Sequence, residues 1–131
     1  MGAPMARPHA DEKIRQIQDF LHQHFEFDVP IDMLAARSGM SARNFNRRFK
    51  AATGYQPGVY VQMLRIAAAK EMLERGALSI QDVCSKIGYD DIAFFRSLFK
   101  RHTGMTPAEY RRRFARMDFD RGEVAAGKTA A

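Results

Sequence analysis

Apolar residues recur at helical spacing along most of this chain. In the segment 11–24, Ile14, Ile17, Phe20 and Leu21 fall on one face, and Asp11 and Glu12 stand at its start, where the helix dipole favours acids. A short apolar segment at 31–37 ends in Ser38-Gly39-Met40, which reads as a turn, and Ser41 then serves as the N-cap of a longer helix. Pro57 opens a long helical segment that runs to a stop at Gly76. Ser79 and Asp82 form a capping pair for a second short helix, Gly88 turns the chain, and Asp90 or Asp91 caps the helix after it. Thr106, Pro107 and Glu109 open the last helix in the same style. No alternating run rich in Val, Ile or Thr marks a strand, so the pattern predicts an all-α fold of about seven helices.

The pattern repeats. At an offset of 50 residues, Phe45, Phe49, Lys50, Thr53, Gly54, Pro57 and Tyr60 meet Phe95, Phe99, Lys100, Thr103, Gly104, Pro107 and Tyr110. The turn glycines Gly39 and Gly88 are offset by 49, so the second copy carries one more residue between turn and helix. So many ordered matches identify a duplicated unit: short helix, glycine turn, longer helix, then a helix started by proline. That is the helix-turn-helix plan occurring twice. The expected organisation is an N-terminal segment or linker over 1–10 and a DNA-binding domain over 11–117. Within that domain the first helix-turn-helix spans 31–54, a linker helix 57–75, the second helix-turn-helix 79–104 and a final helix 106–116. A flexible tail follows at 118–131. With 131 residues, 46% of them hydrophobic, the chain is sized for one cooperative unit.

Charge sharpens this picture. The formal charge is +6 and the isoelectric point about 9.8, which favours an anionic partner. Residues 33–70 hold no Asp or Glu but carry Arg37, Arg43, Arg47, Arg48, Lys50, Arg65 and Lys70. The stretch 96–116 has a single acid, Glu109, and the two blocks together contain 14 of the 21 basic residues. Two blocks predict two contact surfaces.

Projecting each longer helix at about 100° per residue separates its faces. The first buries Ala42, Phe45, Phe49 and Ala52 and presents Arg43, Asn46, Arg47 and Lys50. A helix that reads the major groove needs this composition: Arg pairs with guanine O6 and N7, Asn pairs with adenine N6 and N7, and Lys suits a phosphate. The second buries Ile92, Phe95 and Phe99 and presents Ala93, Arg96, Ser97 and Lys100, where Arg96 suits a base, Ser97 a base or a phosphate, and Ala93 at most a thymine methyl. The expected phosphate contacts are Ser41, Arg48, Lys50, Lys100, Arg101, Arg111 and Arg112. The linker helix, roughly 28 Å long at about 1.5 Å per residue, suits two reading heads about one DNA turn, roughly 34 Å, apart. The expected partner is double-stranded DNA, read as an asymmetric site. A basic architectural protein that holds DNA through phosphates alone is the alternative, although the Arg and Asn face of the first unit argues against it.

Other classes recede. No cluster of carboxylates, His and nucleophiles and no Gly-rich phosphate loop marks an enzyme, and no cofactor or metal site is expected. Cys84 is the only cysteine, which excludes an internal disulfide, and its apolar neighbours make it a packed core residue. His22 and His24 project differently from their helix, and His102 falls near the inward side of its own. No apolar run approaches the roughly 20 residues of a membrane span, and MGAPMARPHADEK lacks the apolar segment of a secretory signal, so the expected compartment is the cytoplasm.

Three stretches carry a resemblance: LAARSGMSARNFNRRFKAATG (34–54), YVQMLRIAAAKEML (60–73) and SIQDVCSKIGYDDIAFFRSLFKRHTGMTPAEYRRRF (79–114). In these the chain resembles the AraC/XylS family of bacterial transcription regulators over about 14–114. The last stretch is the most specific, with its Gly-aromatic pair, FxxxFK pattern, TGxTP turn and Tyr-Arg ending in order. The resemblance implies two helix-turn-helix units joined by a long helix, with base-contacting positions at Arg43, Asn46 and Arg47 and at Ala93, Arg96 and Ser97. Ser97 departs from the family, which often has Arg there. The MSxRxFxRxF pattern of the first unit is similar to the subgroup with an amidase-like N-terminal domain. Family members usually carry a separate effector-sensing or dimerising domain, so this chain is expected to be either an excised domain or a short stand-alone regulator, with RNA polymerase a further partner.

Overall fold

The computed structural model describes residues 11–116. It contains seven α-helices: α1 (Glu12–His24), α2 (Ile31–Arg37), α3 (Ala42–Thr53), α4 (Pro57–Arg75), α5 (Ile80–Lys86), α6 (Ile92–Thr103) and α7 (Pro107–Phe114). Among the described residues there is no strand. The linker expected over 1–10 and the tail over 118–131 lie outside them.

Local signals explain where five of the seven helices start. The side chains of Asp11, Ser41, Ser79, Asp91 and Thr106 accept hydrogen bonds from backbone N–H groups in the first turns of α1, α3, α5, α6 and α7. Asp91, not Asp90, caps α6. At α7 the box is complete: Thr106 accepts from Glu109 N, and the Glu109 carboxylate accepts from Thr106 N. At α5 only the Ser79 half of the expected pair forms, with Asp82 N donating to Ser79 Oγ at 3.0 Å.

The two turns close alike. After α2, Met40 N donates to Ala35 O and Gly39 N to Ala36 O; after α5, Tyr89 N donates to Cys84 O and Gly88 N to Ser85 O. This pair of reversed bonds needs a left-handed residue between helix and loop, and Gly39 at φ 74° and Gly88 at φ 104° supply it. The duplication extends to side chains. Thr53 Oγ1 donates within its own helix to Phe49 O at 2.9 Å and accepts from Tyr55 N, and Thr103 repeats this on Phe99 O and Met105 N.

The described residues divide into two compact units between Arg65 and Ile66. Each has its own core. The first is built from Ile14, Ile17, Leu21, Leu34, Ala35, Phe45, Phe49, Tyr60 and Leu64. The second is built from Ile66, Ala69, Leu73, Val83, Cys84, Ile87, Phe95, Leu98, Phe99 and Tyr110. The division falls within α4, whose early residues serve the first core and later residues the second. Because α4 spreads its buried positions between two cores, no single apolar stripe on it fixes one hydrophobic centre. Cys84 is fully buried, as expected, and its thiol donates to Tyr89 O at 3.3 Å.

Buried polar groups finish each unit. In the first, Tyr60 Oη accepts from Gln18 Nε2 at 3.1 Å and lies 3.0 Å from His22 Nε2. Arg65, read as part of a basic surface block, is only 6% exposed. Its guanidinium donates to Phe25 O at 2.6 Å and Phe27 O at 3.2 Å and pairs with Asp28 at 3.4 Å, which anchors the loop between α1 and α2. In the second unit Tyr110 Oη donates to Glu74 Oε2 at 2.6 Å, and burial together with that carboxylate pushes the phenol up to about 12.

Two outcomes follow. Gly39→Ala meets only Lys13 Nζ, at 4.0 Å, so its cost is the left-handed backbone alone, about 1 kcal/mol in a denaturant titration. Burial holds the His22 imidazole below its ordinary value of 6.5, against the opposing pull of Asp19. The unfolded chain therefore takes up this proton at higher pH than the folded one. The stability linked to neutral His22 is complete above about pH 6.5 and is lost as pH falls through the folded value, so the denaturant midpoint drops as pH is lowered below about 6.5 and drops less in His22→Gln.

Candidate nucleic-acid interface

The roll of α3 about its axis is set by aromatic packing. Phe45 and Phe49 are fully buried, their centroids 5.6 Å apart, and Phe49 meets Tyr60 edge to face at 5.3 Å. The opposite side then faces solvent, and Arg43, Asn46, Arg47 and Lys50 are all exposed there. In unit two, Phe95, Leu98 and Phe99 are fully buried, and Phe99 meets Tyr110 at 5.4 Å in the same edge-to-face geometry. Ala93, Arg96, Ser97, Lys100 and Arg101 are exposed on the other side of α6. Each unit thus brings its predicted reading residues onto one solvent face.

The predicted phosphate contacts divide. Lys50, Lys100, Arg101 and Arg112 are exposed. Ser41 caps α3 by accepting from Asn44 N at 3.2 Å, which leaves its hydroxyl proton to donate elsewhere. Arg48 is engaged: its guanidinium makes two bonds to Asp11, Nη2 to Oδ1 at 2.9 Å and Nε to Oδ2 at 3.2 Å, tying α3 to the start of α1. Arg111 is half-buried and donates to Leu78 O at 2.7 Å, which holds α7 to the segment before α5. Helix projection identified the side of these two arginines but not the Asp11 carboxylate and Leu78 carbonyl that come to meet them.

Two residues were not legible as site residues. Asn44 accepts a hydrogen bond through Oδ1 from the Arg47 guanidinium, one helical turn on, and so orients a candidate base reader. Phe94 is 42% exposed at the start of α6, edge to face with Tyr89 at 5.4 Å. The spacing of Asn44 and Arg47 was the available signal for the first; nothing in the periodicity marks Phe94. His102, expected inward, is exposed. It sits in the last turn of α6, past the turns where that angular position is covered. His22 packs on Tyr60 and His24 on Phe20, and no group of three metal-ligating side chains occurs among the described residues. No helix among them is long and apolar enough to cross a membrane.

A family model described as "Helix-turn-helix domain" matches residues 34–113. Curated relatives include the transcriptional activators RhaS of Salmonella schwarzengrund and of Citrobacter koseri, each 29% identical over 101 residues. That is 77% of this chain but 36% of each relative, so the chain spans about a third of their length. Among solved structures, the DNA-binding domain of AdpA, determined in complex with a target DNA, is 29% identical with a TM-score of 0.74, covering 78% of this chain and 92% of that one. A regulator from Chromobacterium violaceum with an AraC-type DNA-binding domain is 26% identical with a TM-score of 0.74, covering 81% and 95%. The C-terminal domain of AraT from Geobacillus stearothermophilus, 23% identical with a TM-score of 0.79 over 85% and 93%, shares the fold.

The Asn44 contact has a measurable consequence. Asn44→Ala frees the Arg47 guanidinium without touching the core, so thermal stability changes by less than about 0.5 kcal/mol, while affinity for a preferred duplex falls through faster dissociation. Unchanged dissociation would show that Arg47 needs no orienting partner.

Proposed function

Because this chain belongs to the AraC/XylS family of transcription regulators as a DNA-binding domain, we propose that it binds double-stranded DNA in a sequence-specific way and so regulates transcription. The observation that carries this is the pair of exposed faces on α3 and α6, each opposite a fully buried aromatic pair. A solvated charged face needs no asparagine and no oriented arginine. The face of α3 has both, in Asn46 and in Arg47 held by Asn44.

The two helices have different tasks in this reading. Arg43, Asn46 and Arg47 supply most of the direct base readout, with Arg to guanine and Asn to adenine. Ala93, Arg96 and Ser97 read less, and the second unit depends more on phosphate contacts through Lys100, Arg101 and Arg112 and on DNA shape. Ser41 and Lys50 hold the backbone in the first unit, whereas Arg48 and Arg111 serve the fold through Asp11 and Leu78. In this reading the two helices enter successive major-groove segments, and because their exposed residues differ the site is asymmetric. The role is binding, not catalysis, in the cytoplasm, with an effector or dimerisation domain and RNA polymerase as partners of the whole regulator.

Selection from a random duplex library at fixed salt, repeated with Arg43→Ala, Arg47→Ala and Arg96→Ala, tests this. An asymmetric preferred site emerges, and each substitution costs about 1–3 kcal/mol at particular base pairs, Arg43 and Arg47 more than Arg96. Equal enrichment of all sequences would instead make this a basic architectural protein held by phosphates alone.

A further inference from the structure

Beside α3 lies an open cleft of about 710 Å³ within the first unit. Its polar lining is Asn46, Arg47, Lys50 and Gln56; its apolar lining includes Ile31 and Pro57, and Gly58 completes it at the start of α4. We propose that this cleft seats a backbone phosphodiester of the DNA strand bordering the groove that α3 enters, and that Gln56 and Gly58 belong to the DNA interface beside Lys50. The inference rests on the reading of the chain as a DNA-binding domain.

Three observations carry it. First, Asn46 and Arg47 are both lining residues and candidate base readers, so the cleft is continuous with the reading face. What flanks base edges in a groove is the sugar-phosphate backbone. Lys50 and the Gln56 amide meet the phosphodiester, the apolar patches meet deoxyribose, and Asn46 and Arg47 reach past the backbone to the bases. No carboxylate lines the cleft.

Second, the protein itself gives no reason for a glycine at 58. Its φ is not in the left-handed range, and a Cβ added there meets nothing within 4 Å. An alanine there would favour α4 more, and its Cβ would project into open space. A bare backbone beside a basic cleft leaves room for a close neighbour from outside the chain.

Third, the duplication provides a comparison. At an offset of 50, Lys50, Gln56, Gly58 and Val59 become Lys100, Thr106, Ala108 and Glu109. The second unit therefore has a side chain at the glycine position and an acid next to it; the Glu109 carboxylate is held below its ordinary range chiefly by the Thr106 backbone N–H it accepts from, with a lesser pull from Lys100. In the first copy Val59 stands in place of that acid, and no carboxylate lines the cleft beside Lys50. The first copy thus lacks the acid that the second sets near its cation.

The test is the salt dependence of binding to a selected duplex, measured for the wild type, Lys50→Gln, Gly58→Val and the double variant, with thermal melting as the folding check. Gly58→Val changes no charge, yet by displacing the phosphate it lowers the slope of log K against log salt by about 1, as Lys50→Gln does, and the double variant loses no more than either. Gly58→Ala gives the same direction and covers the case in which valine lowers the melting temperature. Wild-type affinity and slope in both Gly58 variants would overturn the proposal, as would a double variant that loses about 2. Binding of inorganic phosphate that Gly58→Val abolishes, with the DNA slope unchanged, would also overturn it, by making the cleft a free-anion site. If the wild type prefers no duplex at all, the DNA reading fails instead, and the two failures stay distinct.

Discussion

The structure depends on one repeated constraint: the burial of a phenylalanine pair against a tyrosine supplied by the following helix. Phe45 and Phe49 with Tyr60, and Phe95 and Phe99 with Tyr110, are the rings around which each core is assembled. Truncating one such buried ring costs about 3–5 kcal/mol, a large share of the stability of a unit this small. That cost fixes the roll of α3 and α6, since either helix can turn about its axis only by exposing a ring. The side left outside is therefore rigidly defined, and on both helices it is the side that carries arginine and lysine. Reading chemistry is a consequence of core chemistry.

Around this constraint the polar groups act as ties. Arg65 binds the loop after α1, Arg48 binds Asp11, and Arg111 binds the carbonyl of Leu78. These three arginines belong to the basic blocks of the sequence but serve the fold. The cations left unpaired for an external anion are fewer than composition suggests, and they lie on the faces that the aromatic rings define. The net charge of the chain is thus a poor measure of its DNA interface; the position of each charge relative to Phe49 or Phe99 is a better one.

Much of this was legible in the sequence for a physical reason. Helical periodicity reports which side of a helix is apolar, and capping residues report where it begins, so the seven helices and both exposed faces followed from Ser41, Pro57, Asp91 and the spacing of the phenylalanines. The residues that escaped were those whose place depends on something distant in sequence. Arg65 is inside because the carbonyls of Phe25 and Phe27 converge on it, and Arg48 is paired because Asp11 caps α1 nearby. His102 was misplaced because angle alone does not say where a core ends, and Phe94 because its neighbour Tyr89 sits in a turn, outside any helical projection. The division of the core also escaped, because one continuous helix, α4, serves both halves.

A hydroxyl-radical footprint of this chain on a selected duplex tests the two-headed reading most directly. It predicts two protected patches on one face of the DNA, centred about one helical turn, roughly 10 base pairs, apart, and unequal in strength. A single patch, or even protection along the whole duplex, would contradict the reading of two heads on one helix.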